Sequence, residues 1–272
     1  MYFDFCDKKI YYKTFGNGKP LVLLNGIMMS TASWQPFVSA LSEQNTLILL
    51  DFLDQGKSAY MDEDYDQAVQ AEVLLALLNH LGINKASLMG VSYGGEVAIK
   101  FAVKYGDRTD RLMLFNTTAK TSDWLRDIGD GWKRIGDTCD GQTYYDVTIP
   151  VIYSSGFYQN NREWMEKRKK VLVPLFSQLT FQQRMKRLVN SSDRHDCVAD
   201  LQKIKNPTLV VTCADDTLVP HGEQETLVKN IKNAQYVVVP DCGHCFMYEK
   251  PLLFTSLILG FTNVKDTEYE GF

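Results

Sequence analysis

The sequence predicts an α/β protein: a mostly parallel sheet of about eight strands with helices on both faces, carrying an inserted helical segment. Three observations predict it. Short, continuous apolar runs such as Pro20–Asn25 and Thr46–Asp51 alternate with stretches of helical spacing; a run without polar alternation is a strand covered on both faces. The segment Gly90-Val91-Ser92-Tyr93-Gly94-Gly95 lies where a strand should hand over to a helix. After Asn116 the rhythm stops, and it resumes only at Pro207. The expected division is a core of residues 1–117 and 204–272, with 118–203 as a helical cap.

The elements follow in chain order. A short apolar segment at the N-terminus and Lys9–Thr14 can form an antiparallel start. Pro20–Asn25 is a strand, Trp34–Leu41 a helix and Thr46–Asp51 a strand. The next helix carries Ala71, Leu74, Leu75, Leu78 and Leu81 at helical spacing, and Gly82 stops it. Lys85–Met89 is a short buried strand. Glu96–Tyr105 is a helix that turns Ala98, Phe101, Ala102 and Tyr105 to one side, and Arg111–Asn116 is the next strand. The stretch 118–203 has no continuous apolar strand and is rich in aromatic and basic residues, with Arg162–Lys170 as a charged cluster. Thr208–Cys213 and Gln235–Pro240 are strands; Gly222–Asn230 and Pro251–Phe261 are helices. The polar tail beyond Asn263 is expected to be loose. In such a sheet ligands bind beyond the carboxyl ends of the strands. Asn25, Asp51, Ser92, Asn116, Asp216 and Asp241 all fall just past such ends.

Composition narrows the function classes. The chain has 272 residues, 45% hydrophobic and 23% charged, which is an ordinary globular balance with room for a large core. A net charge of −4 gives no basic surface for nucleic acid or an anionic membrane. No apolar run reaches membrane-span length. Met1-Tyr2-Phe3-Asp4-Phe5 lacks the basic and apolar regions of a secretory leader, and six cysteines in so long a chain are expected to stay reduced. A cytoplasmic location is the expectation.

The Gly90–Gly95 segment reads as a nucleophile elbow, G-x-S-x-G. The turn is sharp, so the serine takes strained angles and its hydroxyl is lifted clear of the sheet. Gly90 and Gly94 leave room for the neighbouring elements. A serine hydroxyl needs a general base, itself oriented by an acid. The chain has four histidines. His80 ends an amphipathic helix and caps it or faces solvent. His195 lies in the polar stretch Ser191–Asp196 and reads as a surface residue. His221 follows Pro220 at a helix start and reads as structural. His244 follows the last apolar strand directly and is the best base. For the acid, Asp216 is the first choice and Asp215 the second, both after the strand Thr208–Cys213. The oxyanion donors would be the N–H groups of Tyr93 and of Ile27, the latter in the loop Asn25-Gly26-Ile27-Met28.

With these residues in place, the chain from Lys9 to Phe261 resembles the α/β-hydrolase superfamily, in particular its capped, esterase-like members. The resemblance rests on Gly90–Gly95, on Asp216 with Pro220 four residues later, and on Gly243-His244 followed by Glu249 and Pro251. It implies a triad of Ser92, Asp216 and His244 with Ile27 and Tyr93 as backbone donors, and no metal or cofactor. The D-x-x-x-P pattern favours Asp216 over Asp215. Two departures stand out. Asn25-Gly26 replaces the family's usual His-Gly, and Asp54 replaces the first glycine of its D-x-x-G-x-G-x-S loop. Asn25, Met28 and Asp54 are candidate substrate contacts, although Asp54 reads more readily as a solvated turn residue.

The function expected is hydrolysis of small to medium, largely apolar carboxylic esters or thioesters through an acyl-enzyme on Ser92. Met28, Met29 and the aromatic insertion would supply the apolar pocket. Lactones and activated C–C bonds are alternatives with the same nucleophile, and a non-catalytic small-ligand receptor is a rival of another class. Cys242-Gly243-His244-Cys245 matches a disulfide-exchange centre letter for letter. That chemistry belongs at a helix start in a thioredoxin-like unit, so the cysteines read better as packing residues. A zinc site lacks a second Cys/His pair.

Overall fold

A computed structural model of the chain describes residues 1–265; the expectation of a loose tail falls mainly on residues 266–272, outside those described. The strands are β1 (Tyr2–Phe5), β2 (Lys8–Phe15), β3 (Lys19–Leu24), β4 (Asn45–Leu50), β5 (Ala86–Val91), β6 (Thr109–Phe115), β7 (Thr208–Cys213) and β8 (Ala234–Val239). They form one sheet in the order β1-β2-β4-β3-β5-β6-β7-β8. The β1–β2 and β2–β4 pairs are antiparallel and the others parallel.

The continuous apolar runs are explained by the pleat. Successive side chains point to opposite faces, and in β3–β6 both faces are covered. Val22, Leu24, Ile48, Leu50, Leu88 and Leu114 join one core cluster. Leu21, Leu23, Leu47, Leu49, Met89 and Phe115 join the other. The helices that cover these faces are α1 (Val38–Ser42), α2 (Ala68–His80), α3 (Tyr93–Lys104), α9 (His221–Asn230) and α11 (Pro251–Asn263). Residues of α2, α3 and α9 belong to the first cluster and those of α1 and α11 to the second.

Between α3 and α9 in the chain lie α4 (Asp123–Gly136), α5 (Gly141–Thr148), α6 (Ser155–Asn160), α7 (Arg162–Phe176) and α8 (Leu179–Ser192); a short α10 (Phe246–Glu249) precedes α11. The five inserted helices share an apolar cluster that includes Trp132, Tyr144, Tyr145, Tyr153 and Phe176. Leu218, Val219 and Cys245, from loops after β7 and β8, belong to the same cluster and join the insertion to the strand ends. Most of the insertion's aromatic residues therefore pack; Trp124 and Trp164 stay exposed.

Two helices differ from the reading of the sequence. The Trp34–Leu41 helix is a 3-10 segment, Thr31–Phe37, followed by α1. Pro36 lies inside the first part and cannot donate a backbone hydrogen bond. The helix expected from Glu96 begins at Tyr93, because it starts directly at the elbow. Among the described residues no helix is long and apolar enough to cross a membrane.

Strand register brings the site together. Leu24 pairs with Gly90 and Val91 with Phe115, so Asn25, Ser92 and Asn116 emerge side by side at one edge. Cys213 pairs with Val239, which brings the loops of Asp216 and His244 to the same edge.

Candidate active site

Ser92 has φ 52° and ψ −124°, a conformation that costs about 1–3 kcal/mol for a residue with a Cβ. Its surroundings hold it there. Its N–H donates to Phe115 O at 3.0 Å, and its carbonyl accepts from Gly95 N at 2.8 Å and from Thr117 Oγ1 at 2.8 Å. A Cβ on Gly90 would lie 2.3 Å from Gly94 O, and one on Gly94 would lie 2.3 Å from Leu24 O. The turn can close only with hydrogen at both positions.

His244 and Asp216 meet at 2.8 Å, Nδ1 to Oδ2. The other carboxylate oxygen of Asp216 accepts from Leu218 N at 3.0 Å and Val219 N at 2.9 Å. The Asp216 carboxylate is buried and each of its oxygens is bonded, so it has one orientation. Asp215 is exposed. The His244 loop is held from two sides. Asn116 Nδ2 donates to His244 O at 2.9 Å, while Asn116 Oδ1 accepts from Cys213 N at 3.1 Å. The Glu249 carboxylate accepts from Gly243 N at 3.1 Å and from Ser154 N and Oγ at 2.9 and 2.6 Å. It thereby clasps the histidine loop to the insertion. The sequence pattern contained Glu249; its partner Ser154 carried no local signal.

Ser92 and His244 line one cavity together with Ile27, Met28, Met29, Trp132 and other apolar side chains. Among the described residues Ser92 Oγ has no hydrogen-bond partner, and the N–H groups of Ile27 and Tyr93 donate to no acceptor. Two unused amides beside a free hydroxyl are what an oxyanion site offers.

Of the candidate contacts, Met28 lines this cavity, and Asn25 and Asp54 do not. Asn25 is fully buried. Its Nδ2 donates to Leu50 O at 2.8 Å and Gln55 Oε1 at 3.0 Å, and its Oδ1 accepts from Trp34 Nε1 at 2.7 Å. Gln55 Nε2 donates in turn to Gly26 O at 2.9 Å. The amide in the usual histidine position therefore anchors the loop that carries Ile27, and does not line the Ser92 cavity.

Asp54 does not line the Ser92 cavity, and the reading of it as a solvated turn residue is corrected. Its side chain is 0% exposed and pairs with Arg187 of α8, Nη2 to Oδ1 at 2.7 Å. Its φ of 65° explains the glycine usual at this position, and aspartate is among the few residues that tolerate it. Asp54→Gly relieves the backbone but leaves Arg187 unpaired. It is expected to lower unfolding free energy by about 2–4 kcal/mol, read by urea denaturation. An unchanged midpoint would show the ion pair to be dispensable.

The other histidines lie elsewhere. His195 is also a correction: it is 2% exposed, and Nε2 lies 3.0 Å from Thr118 O. The polar stretch around it folds back on Thr118–Thr121, where Thr121 N donates to His195 O. Burial pushes its pKa down to about 4. His80 is exposed at the end of α2, stacks on Phe3 and lies 3.2 Å from Tyr12 Oη. His221 is exposed at the start of α9. The thiols of the C-x-x-C segment are buried. Interaction with Cys213 and burial push Cys242 far up, and burial takes Cys245 to about 12. Thiol exchange requires the opposite shift.

Glu96, one turn into α3 from Ser92, is buried and accepts from Gln67 Nε2 at 2.6 Å. Burial raises its pKa from 4.5 to about 8. The folded state thus holds a proton that the unfolded chain releases, so this contribution to stability is complete below about 4.5 and lost as pH rises through about 8. Glu96→Gln is expected to remove the loss. In denaturation at a series of pH values, the variant should gain on the wild type by up to a few kcal/mol between about pH 5 and 8.5. A constant difference would refute the assignment.

Comparison with known proteins places the fold. The family model described as alpha/beta hydrolase fold matches residues 19–251. An alpha/beta hydrolase enzyme, MGS-M2, from a Medee basin deep-sea metagenome library superposes with a TM-score of 0.97 at 46% identity, covering 99% of this chain and 100% of that one. RutD of Azorhizobium caulinodans, provisionally named a carbamate hydrolase, is 25% identical over 94% of this chain and 95% of its own. A 2-hydroxy-6-oxononadienedioate/2-hydroxy-6-oxononatrienedioate hydrolase of Burkholderia vietnamiensis is 28% identical over 95% of this chain and 92% of its own. With the family model spanning most of the sequence and a solved relative superposing over nearly all of it, the chain belongs to the α/β hydrolase fold family.

Proposed function

We propose that the protein is a serine hydrolase that cleaves carboxylic esters or thioesters of small to medium acyl groups through an acyl-enzyme on Ser92. The observation that carries this reading is the 2.8 Å His244–Asp216 hydrogen bond in a pair whose histidine shares one cavity with the strained Ser92. A carboxylate at Nδ1 fixes the tautomer that leaves Nε2 free to take a proton. Ser92 Oγ attacks the acyl carbon as its proton passes to His244. The resulting oxyanion is held by the N–H groups of Ile27 and Tyr93. Collapse expels the alkoxide or thiolate, protonated by His244. Water then attacks the acyl-enzyme by the same steps and frees the acid. The apolar lining suits a mostly hydrocarbon acyl group, and α4–α8 act as the cap that selects it.

The relatives' names favour a second reading at the same residues. Carbamates and 2-hydroxy-6-oxo dienedioates would be attacked by the same serine within the same cavity. A hydrolysis screen separates the readings: p-nitrophenyl esters of increasing acyl length, matching thioesters, aryl carbamates and a vinylogous 1,5-diketone, each with wild type and Ser92→Ala. Ser92-dependent turnover highest on esters or thioesters supports the proposal. Turnover confined to carbamates or the diketone moves the assignment, and none above Ser92→Ala on any substrate ends the hydrolase reading.

A further inference from the structure

We propose that the substrate carries a carboxylate and that Arg168 binds it; the inference rests on the reading of the Ser92 cavity as the reaction site. Arg168, Leu172 and Phe176 all line that cavity. They recur every four residues along α7, so they form one stripe of the helix. Leu172 and Phe176 are ordinary lining for an apolar pocket. An arginine in the same stripe is not.

Three of the other four basic residues in Arg162–Lys170 are paired, and the fourth, Lys170, is exposed. Arg162 pairs with Glu166, Lys167 with Glu163, and Lys169 with Asp146, each within 3.0 Å. Among the described residues no carboxylate lies within ion-pair distance of Arg168, and its Nε is buried without a hydrogen-bond partner. The guanidinium carbon lies 4.6 Å from the ring centre of Tyr248 and 5.4 Å from that of Trp164. Tyr248 also supplies a side-chain hydrogen-bonding group. These rings fix the group's position but give it no counter-charge. None of the residues lining the cavity is Asp or Glu.

A half-buried guanidinium with a buried, unpartnered Nε–H is costly without an anion, and a ligand carboxylate offsets that cost. The protein leaves the Nε edge of the guanidinium, whose N–H has no acceptor, for a partner. A planar carboxylate fits that edge with two parallel hydrogen bonds. A phosphate dianion would need a second cation, and the lining has none. The cavity thus combines a hydrocarbon wall with a single anion-binding point, which suits a half-ester of a dicarboxylic acid better than a neutral fatty ester.

Two measurements test this, one of them independent of catalysis. In calorimetric titration with the dicarboxylates from succinate to adipate, wild type is expected to bind at least one. Arg168→Gln should bind it roughly 10- to 100-fold more weakly, the usual effect of removing a charged hydrogen-bond partner, and Arg168→Lys should recover part of the affinity. In kinetics, kcat/KM for p-nitrophenyl half-esters of these acids is divided by that for neutral esters of equal length. The ratio should collapse by a similar factor in Arg168→Gln, chiefly through KM. If no ester is hydrolysed but dicarboxylate binding still depends on Arg168, the anion site stands and the hydrolase reading falls. If wild type binds no dicarboxylate, or Arg168→Gln binds it equally well, the proposal is overturned. Equal losses on charged and neutral esters would likewise reduce Arg168 to a structural support.

Discussion

Ser92→Ala is expected to lower kcat/KM on the best ester by at least about 10,000-fold, since attack then falls to water aided only by binding and the oxyanion donors. A second substitution separates chemistry from strain. Ser92 has a φ of 52°, which alanine must also adopt and glycine adopts freely. Ser92→Gly should therefore be as inactive as Ser92→Ala, yet more stable than wild type by about 1–2 kcal/mol. Steady-state kinetics and urea denaturation of the three proteins check both halves. An inactive but stabilised glycine variant would mean that the fold gives up stability to hold a hydroxyl at the elbow. A ligand receptor without catalysis would have no use for that. A wild type no faster than Ser92→Ala, on substrates it demonstrably binds, would favour the receptor.

The sequence made legible whatever depends on neighbours in the chain. β3–β6 announce themselves as apolar runs because covering helices leave no solvent side to mark with polar residues. Ser92, Asp216 and His244 stand out because each follows such a run. Illegible were the residues whose partners lie far along the chain. Asp54 reads as a turn residue until Arg187, 133 positions away, comes to meet it. His195 lies in a polar stretch that looks solvated; only the return of the insertion onto Thr118–Thr121 buries it. Asn25 looks like a departure from a pattern, but its bonds to Leu50, Gln55 and Trp34 show another side chain anchoring the same loop. Arg168 disappears into the charged run Arg162–Lys170, where composition cannot separate the paired cations from the one that faces a cavity. Spacing along α7 would have helped, since 168, 172 and 176 share a stripe with two apolar members.

Asp216→Asn is expected to cost about as much as losing the serine, roughly 10,000-fold in kcat, while altering the shape of the site very little. The asparagine oxygen can still accept from Leu218 N and Val219 N, which bond Asp216 Oδ1 in the wild type. Its NH₂ group then faces His244 Nδ1 in place of Oδ2. An amide donor there favours the tautomer with hydrogen on Nε2, and that nitrogen can no longer take the proton of Ser92. No negative charge remains to stabilise the imidazolium formed during attack. Asp215→Asn is the matched control. It removes the adjacent carboxylate, which is exposed, and activity should stay within about twofold, as for most surface changes away from a site. The pair tests the acid's identity more sharply than either variant alone, because both remove one negative charge from the same loop. A general electrostatic effect of that loop would lower both activities together. An effect confined to position 216 can come only from the group that orients His244. If Asp216→Asn retained more than a tenth of wild-type kcat, His244 would have to draw its orientation from elsewhere. The other contacts of its loop, among them those of Asn116 and Glu249 and the Cys245 N–Ile152 O bond, hold the backbone and leave the ring free to turn.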